Sequence, residues 1–307
     1  MLMAGVGDGV RVDVFATAVW GGQPVTIGLH DGSLAAAAMA AAAQQSDSIE
    51  TAFVDTTGEL HEMRVFRSGR EVPFSGAAAL AAAWALQQQW QDPGGLDSVH
   101  LSMPLGDVHV SCPENTAAVE PLWLEAPMIG LGAPWPTAQI HALLGLQLPA
   151  DLRLPPVQMA SLAQPILLVP VPGLAELGTC RLDGPAFRGF AVRMVRHQAL
   201  HLQVYAFCLQ ARSENHHVAA RMFRPADNGP EEAASCEAAA CLGAYLLQHK
   251  LLPDGTELLI EQGYETGRPS LLRLRVQMQM EGPRIEVGGH VRPHFDDDNS
   301  DREMLPR

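Results

Sequence analysis

"MRVFRSGREVPFSGAAALAAAWALQQQW" (residues 63–90) returns in the second half of the chain as "ARMFRPADNGPEEAASCEAAACLGAYLLQHK" (220–250). Each copy is a basic-aromatic strand end, a turn-rich loop, and then a run of small apolar residues with helical propensity. Self-similarity at so large an offset predicts two related lobes rather than a solenoid of short repeats. A small-molecule site at the seam between the lobes is the corollary.

Outward from the two copies, the pattern fills in around each helix. The helices, over 76–91 and 234–251, carry apolar residues on all sides, which predicts burial rather than a surface position. In the first half, strands are expected over 10–18, 25–29, 51–54, 60–67, 99–102, 108–112 and 117–124, with an alanine-dense helix over 34–45. A proline-rich connection spans 126–136. In the second half, strands are expected over 166–171, 200–209, 217–223, 257–262, 271–278 and 284–287. The fold class is therefore α+β, with a first lobe over 10–128, a second over 129–292, and an acidic, disordered tail over 293–307 ("HFDDDNSDREMLPR" at its core).

Composition limits the partners. The chain has 307 residues, of which 47% are hydrophobic, enough for two ordinary cores. A formal charge of −14 disfavours nucleic acid, whose binding rests on clustered lysine and arginine. No apolar run is long enough for a membrane span, and "MLMAGVGDGVR" lacks the pattern of a secretion signal, so a cytoplasmic location is expected. The five cysteines form no Cys-x-x-Cys pair, and "GVGDG" precedes the first strand instead of following it, so it is not a dinucleotide fingerprint. His216 and His217 read as neighbours on a strand, facing opposite sides, and no metal motif is present, so no metal site is expected.

Four segments in this order, "DVFATAVWGGQP", "SIETAFV", "RVFRSGREVPFSG" and "EQGYETGRPSLLRLRV", resemble the phenazine-biosynthesis-like (PhzF-like) isomerase family, of the diaminopimelate epimerase fold superfamily. The resemblance runs over about 10–289, and "QGYETGRPS" is its most specific piece. It implies two pseudo-symmetric lobes, each a curved, mostly antiparallel sheet wrapped around a central helix, with the active site between them. It also implies a cofactor-independent isomerase acting on a small molecule, commonly as a homodimer.

The resemblance assigns proton transfer to Glu50, which by itself reads as an ordinary strand-end carboxylate. A group that takes a proton from carbon and returns it is what a double-bond shift requires, and burial is expected to raise the pKa of Glu50 toward the working range. Other positions depart from the family pattern. Gly-His-Pro at the first helix is Gly76-Ala77-Ala78 here, and Glu-Asp-Pro-Ala-Thr-Gly-Ser-Ala at the second is Glu231 through Ala238, which puts Glu232, Ser235, Cys236 and Glu237 in the loop. These changes argue against the phenazine-pathway substrate itself.

Backbone N–H groups around Ser75, Gly76, Ala77, Ser235 and Cys236 are candidates to hold substrate, with Gln262 and Gly263 beside them. Glu237 has two readings. It caps free N–H groups at a helix start, or it joins Glu50 and Glu232 in an acidic pocket suited to an amine. Cys236 is either a small packing residue or an acid/base thiol lowered by the helix terminus. Arg64, Arg221 and Arg268 either pair with cleft carboxylates or form surface ion pairs. The expected function is a proton and double-bond shift in a small unsaturated acid or cyclic amino-acid intermediate of secondary metabolism. The alternative is a degenerate binding or assembly protein.

Overall fold

A single order of strand pairing is used twice in the computed structural model, which describes residues 9–17, 21–89, 96–112, 120–195, 202–225, 231–252 and 255–294. The first half contributes β1 (Val10–Val14), β2 (Gln23–His30), α1 (Ala36–Gln45), β3 (Glu50–Asp55), β4 (His61–Arg67), β5 (Arg70–Val72), α2 (Gly76–Gln89), β6 (Ser98–Met103), β7 (Gly106–Ser111), β8 (Leu122–Glu125) and β9 (Gly130–Pro134). The second contributes α3 (Thr137–Leu143), β10 (Gln158–Ser161), β11 (Pro165–Pro170), α4 (Leu174–Thr179), α5 (Gly184–Val195), β12 (Gln203–Cys208) and β13 (Val218–Phe223). It ends with α6 (Cys236–Gln248), β14 (Glu257–Gln262), β15 (Ser270–Gln279), β16 (Gly282–Gly289) and β17 (Val291–Pro293).

In the first lobe, β1–β2 is antiparallel, β2–β3 parallel, β3–β4 antiparallel, β4–β6 parallel, and β6–β7 and β7–β8 antiparallel. The second lobe repeats that succession from β10–β11 through β15–β16, with β11–β12 and β13–β14 as the parallel pairs. The lobes then exchange their last strands. β8 pairs with β16 across the seam, β17 runs on to pair with β1, and β9 runs on to pair with β10. Each sheet is closed around its helix by the other lobe's final strand, which removes the open edges that a curved sheet would otherwise present.

The enclosed helices explain the alanine. From Gly76 to Ala83 every residue of α2 is buried, and α6 is buried from Ala238 to Leu246. A helix ringed by strands has room only for short side chains where the backbones approach. Leu80, Leu242, Leu246 and Tyr245 are larger buried side chains on these helices, and the Tyr245 hydroxyl donates to Pro156 O at 2.7 Å.

Several elements differ from the sequence reading. The proline-rich stretch contains β9, and α3, α4 and α5 were not anticipated. β12 and β13 are buried on both faces, so their outer side needs cover, and a second core of Trp135, Ile140, Leu167, Val169 and Phe187 supplies it. His216 and His217 precede β13 rather than lying on it. His216 Nδ1 lies 2.8 Å from Glu261 Oε1, and His217 Nδ1 accepts from Leu259 N, so the loop is tied down at two separate points. Parts of the expected elements (18, 90–91, 117–119, 200–201) and of the acidic tail (295–307) lie outside the described residues. No helix among the described residues is long and apolar enough to cross a membrane.

Candidate functional site

The amino termini of α2 and α6 meet at the seam. Ser75 and Ser235 cap them, accepting from the N–H groups of Ala78 (3.2 Å) and Ala238 (3.3 Å) respectively. Approach is so close that a Cβ on Gly76 would lie 2.4 Å from Cys236 Sγ. Two positive helix ends thus face one small volume, a setting that favours negative charge.

Three carboxyls gather there. Glu50 begins β3, opposite Arg67 in the β3–β4 ladder, and is 1% exposed. Arg67 clamps its Oε1 through two nitrogens, with Nε at 3.0 Å, while Ser75 Oγ donates to Oε2 at 2.6 Å. Arg67 also reaches Glu232 Oε1 at 3.5 Å, and Arg224 bonds that same oxygen. The third, Glu237, lies in the first turn of α6 and accepts from the N–H of Gly76, on the opposite helix, at 3.3 Å. It is a cap, but it caps the other lobe.

The environments push two of these carboxyls apart. Burial works to raise the pKa of Glu50, but the Arg67 charge, the Ser75 hydrogen bond and the Arg224 charge outweigh it, leaving Glu50 below its ordinary value. The expectation that burial would lift Glu50 toward neutrality is corrected: the ion pair wins. Glu237 goes the other way, to about 7, first through loss of water and then through the Glu50 charge, against the pull of Arg67. Arg67 and Arg224 balance Glu50 and Glu232, so an ionised Glu237 takes the cluster past neutrality. At neutral pH one acid is charged and its neighbour carries a proton for much of the time.

These shifts have opposite consequences for stability. Glu50, lowered on folding, contributes stability above the usual carboxylate range that is lost as pH falls through its folded pKa. Glu237, raised on folding from 4.5 to about 7, is favourable at low pH and becomes a cost as pH rises between those values. That cost is on the order of 3 kcal/mol. Glu237→Gln is accordingly expected to match the wild type near pH 4 and to exceed it in stability near pH 8, as read from urea unfolding at each pH.

Cys236 is 1% exposed, and its thiol is raised well above the ordinary value, by burial first and by the Glu237 and Glu50 charges next. The helix terminus does not lower it, because the thiol packs against Gly76 and has no water to solvate a thiolate. Packing is the reading that fits. Ala77 occupies on α2 the place that Glu237 occupies on α6, one residue past the meeting point, and is 5% exposed.

Gln262 and Gly263 sit differently from their expected substrate-binding role. The Gln262 amide donates to Glu232 O at 3.0 Å and accepts from Ser235 N at 3.3 Å, so it is spent on holding the loop. Gly263 has φ +79°, and a Cβ there would lie 2.3 Å from Arg268 O and 2.5 Å from Ala233 O. Gly263→Ala is expected to lower stability by more than about 2 kcal/mol, because left-handed strain and two backbone collisions add, and thermal melting checks it.

Arg64 pairs with Glu71 at the surface. Arg221 bonds Glu231 and three carbonyls in the second lobe. Arg268 donates to Asp13 at 2.5 Å and to Gly21 O and Gly22 O at 2.9 Å each, which joins the "GGQP" and "GRPS" segments across the lobes. None of the three reaches the helix-terminus carboxyls. Arg67 and Arg224 do, and sequence reasoning missed both, although the repeat marked them: each closes its copy, "MRVFR" and "ARMFR". Gln23 was missed too; its Oε1 accepts from Ala234 N at 3.5 Å. Among the described residues no group of three or more His, Cys, Asp or Glu side chains is arranged to hold a metal ion.

Comparison with known proteins agrees with this architecture. An isomerase of Mesorhizobium japonicum, otherwise uncharacterized, is 29% identical over 298 residues, covering 91% of this chain and 94% of that protein. The trans-2,3-dihydro-3-hydroxyanthranilate isomerase of Pseudomonas chlororaphis is 26% identical over 284 residues, with 92% and 95% covered. The crystal structure of a PhzF-family phenazine biosynthesis protein from Bacillus anthracis superposes with a TM-score of 0.80 at 20% identity, covering 94% of this chain and 96% of that one, which shows a shared fold. The model of the phenazine biosynthesis-like proteins matches residues 12–295. With that match spanning both lobes and the seam between them, the chain belongs to the phenazine biosynthesis-like (PhzF-like) family.

Proposed function

We propose that the protein is an isomerase that moves a proton, and with it a double bond, in a small unsaturated acid or cyclic amino-acid intermediate of secondary metabolism, with Glu50 taking the proton from carbon. One observation supports this most: a buried carboxylate, kept ionised by Arg67 and Ser75, stands where two helix amino termini converge. A carboxyl must be ionised to accept a proton, and the same positive helix ends stabilise the negative charge that develops on the substrate as the C–H bond breaks. Cofactor-independent operation, as a homodimer in the cytoplasm, completes the reading.

The changes at Ala77, Glu232 and Glu237 point to a substrate other than that of the phenazine relatives, and Glu237 fills the place at Gly76 N–H where an anionic group would otherwise sit. The test is incorporation of deuterium from solvent into trans-2,3-dihydro-3-hydroxyanthranilate and a panel of cyclic and open-chain unsaturated amino acids. Exchange into at least one, with formation of its isomer, is the expected result. The second reading, a binding or assembly protein, is favoured by the closure of the cluster, since both Glu50 oxygens are engaged and the residue is 1% exposed. Absence of exchange across the panel selects it.

A further inference from the structure

We propose that Glu237 is a second catalytic residue, the acid that delivers a proton to substrate while Glu50 removes one. The inference rests on the isomerase reading and deepens it. Glu50, Glu232, Ser75 and Cys236 are all at most 5% exposed, whereas Glu237 is half-buried. One of its oxygens accepts from Gly76 N–H at 3.3 Å, which ties the carboxyl across the seam to the opposite helix start. The groups acting on it are Glu50 from β3, Arg67 from β4, Glu232 from the preceding loop and its own backbone. Cys236 and Cys241 of α6 lie close enough to feel its charge in turn. Burial first and the Glu50 charge next, against the pull of Arg67, keep Glu237 protonated to about 7 while Glu50 stays charged, so the two neighbouring acids stand in opposite states.

The step balances without a further reactant. The Glu50 carboxylate takes a proton from carbon, and the C–H electron pair moves into the conjugated system and shifts the double bond. The far carbon takes a proton from the Glu237 carboxyl, leaving Glu50 protonated and Glu237 ionised. Proton return from Glu50 to Glu237 by way of solvent resets the site.

Two measurements test it. In protein labelled with 13C at the glutamate carboxyls, one resonance titrates near pH 7, is lost in Glu237→Gln and moves to lower pH in Glu50→Gln, because the Glu50 charge is then gone. Absence of such a resonance, or its persistence in Glu237→Gln, overturns the assignment. With any panel compound that the wild type isomerises, Glu237→Gln retains Glu50-dependent exchange of the abstracted hydrogen but forms product about 10²-fold or more slowly. Glu237→Asp recovers part of that rate, and a substrate deuterated at the abstracted position passes none of its label to the new C–H bond. Equal product formation by Glu237→Gln, or internal return of the label, overturns the two-acid division and leaves the isomerase standing. A wild type that neither exchanges nor isomerises any compound overturns the isomerase reading and this inference with it, whatever the titration shows.

Discussion

Glu50→Gln lowers solvent exchange into a responsive substrate by about 10²- to 10⁴-fold while leaving the fold intact, because glutamine keeps the shape of the side chain and removes only its capacity to accept a proton. The fold survives for a reason visible at the site. Arg67 retains Glu232 at 3.5 Å, and Ser75 still caps α2 through Ala78 N. The loss of rate is therefore read on folded protein, although melting also falls, since the ionised Glu50 that contributes stability at neutral pH is gone. If Glu50→Gln exchanges as fast as the wild type, the carboxylate has a structural role only, and proton transfer belongs elsewhere in the cluster.

Arg67→Met acts on stability instead. Glu50 then sits 1% exposed with its main counter-charge removed, and stripping one partner from a buried ion pair costs about 3–5 kcal/mol. The same change lifts the Glu50 pKa, since burial, the largest influence on it, is no longer opposed by Arg67. With its folded pKa moved up, Glu50 binds its proton more tightly in the folded than in the unfolded protein, so the loss is small in acid and grows as pH rises. Urea unfolding at two pH values measures both. Adding Glu50→Gln to Arg67→Met recovers most of the stability, because no unpaired charge remains. A double variant as unstable as Arg67→Met alone would mean that the loss comes from packing and not from charge.

These expectations depend on residues of unequal legibility. The repeat of 63–90 in 220–250 announced two lobes, and the apolar residues on every side of each helix announced that both helices are enclosed. Glu50 was legible only through the family resemblance of "SIETAFV", since a carboxylate at a strand end has no distinguishing pattern. Arg67 and Arg224 were written in the repeat but not read, because strand alternation says which face a side chain takes and not which carboxylate it meets. The strand exchange by β9 and β17 had no local signature at all; it consists of pairings between segments far apart in the chain.

What the sequence determined by itself is the duplicated architecture, because periodicity and small-residue content are local properties that fix strand, helix and burial. What only the tertiary structure decided is the charge state of the site. Glu50, Glu237 and Cys236 each had an expectation based on type and position. Their actual directions follow from balances between burial and charges that belong to β3, β4, α2 and α6 together. Electrostatic energy depends on distance in space and on access to water, and neither quantity exists until the two lobes have closed on each other.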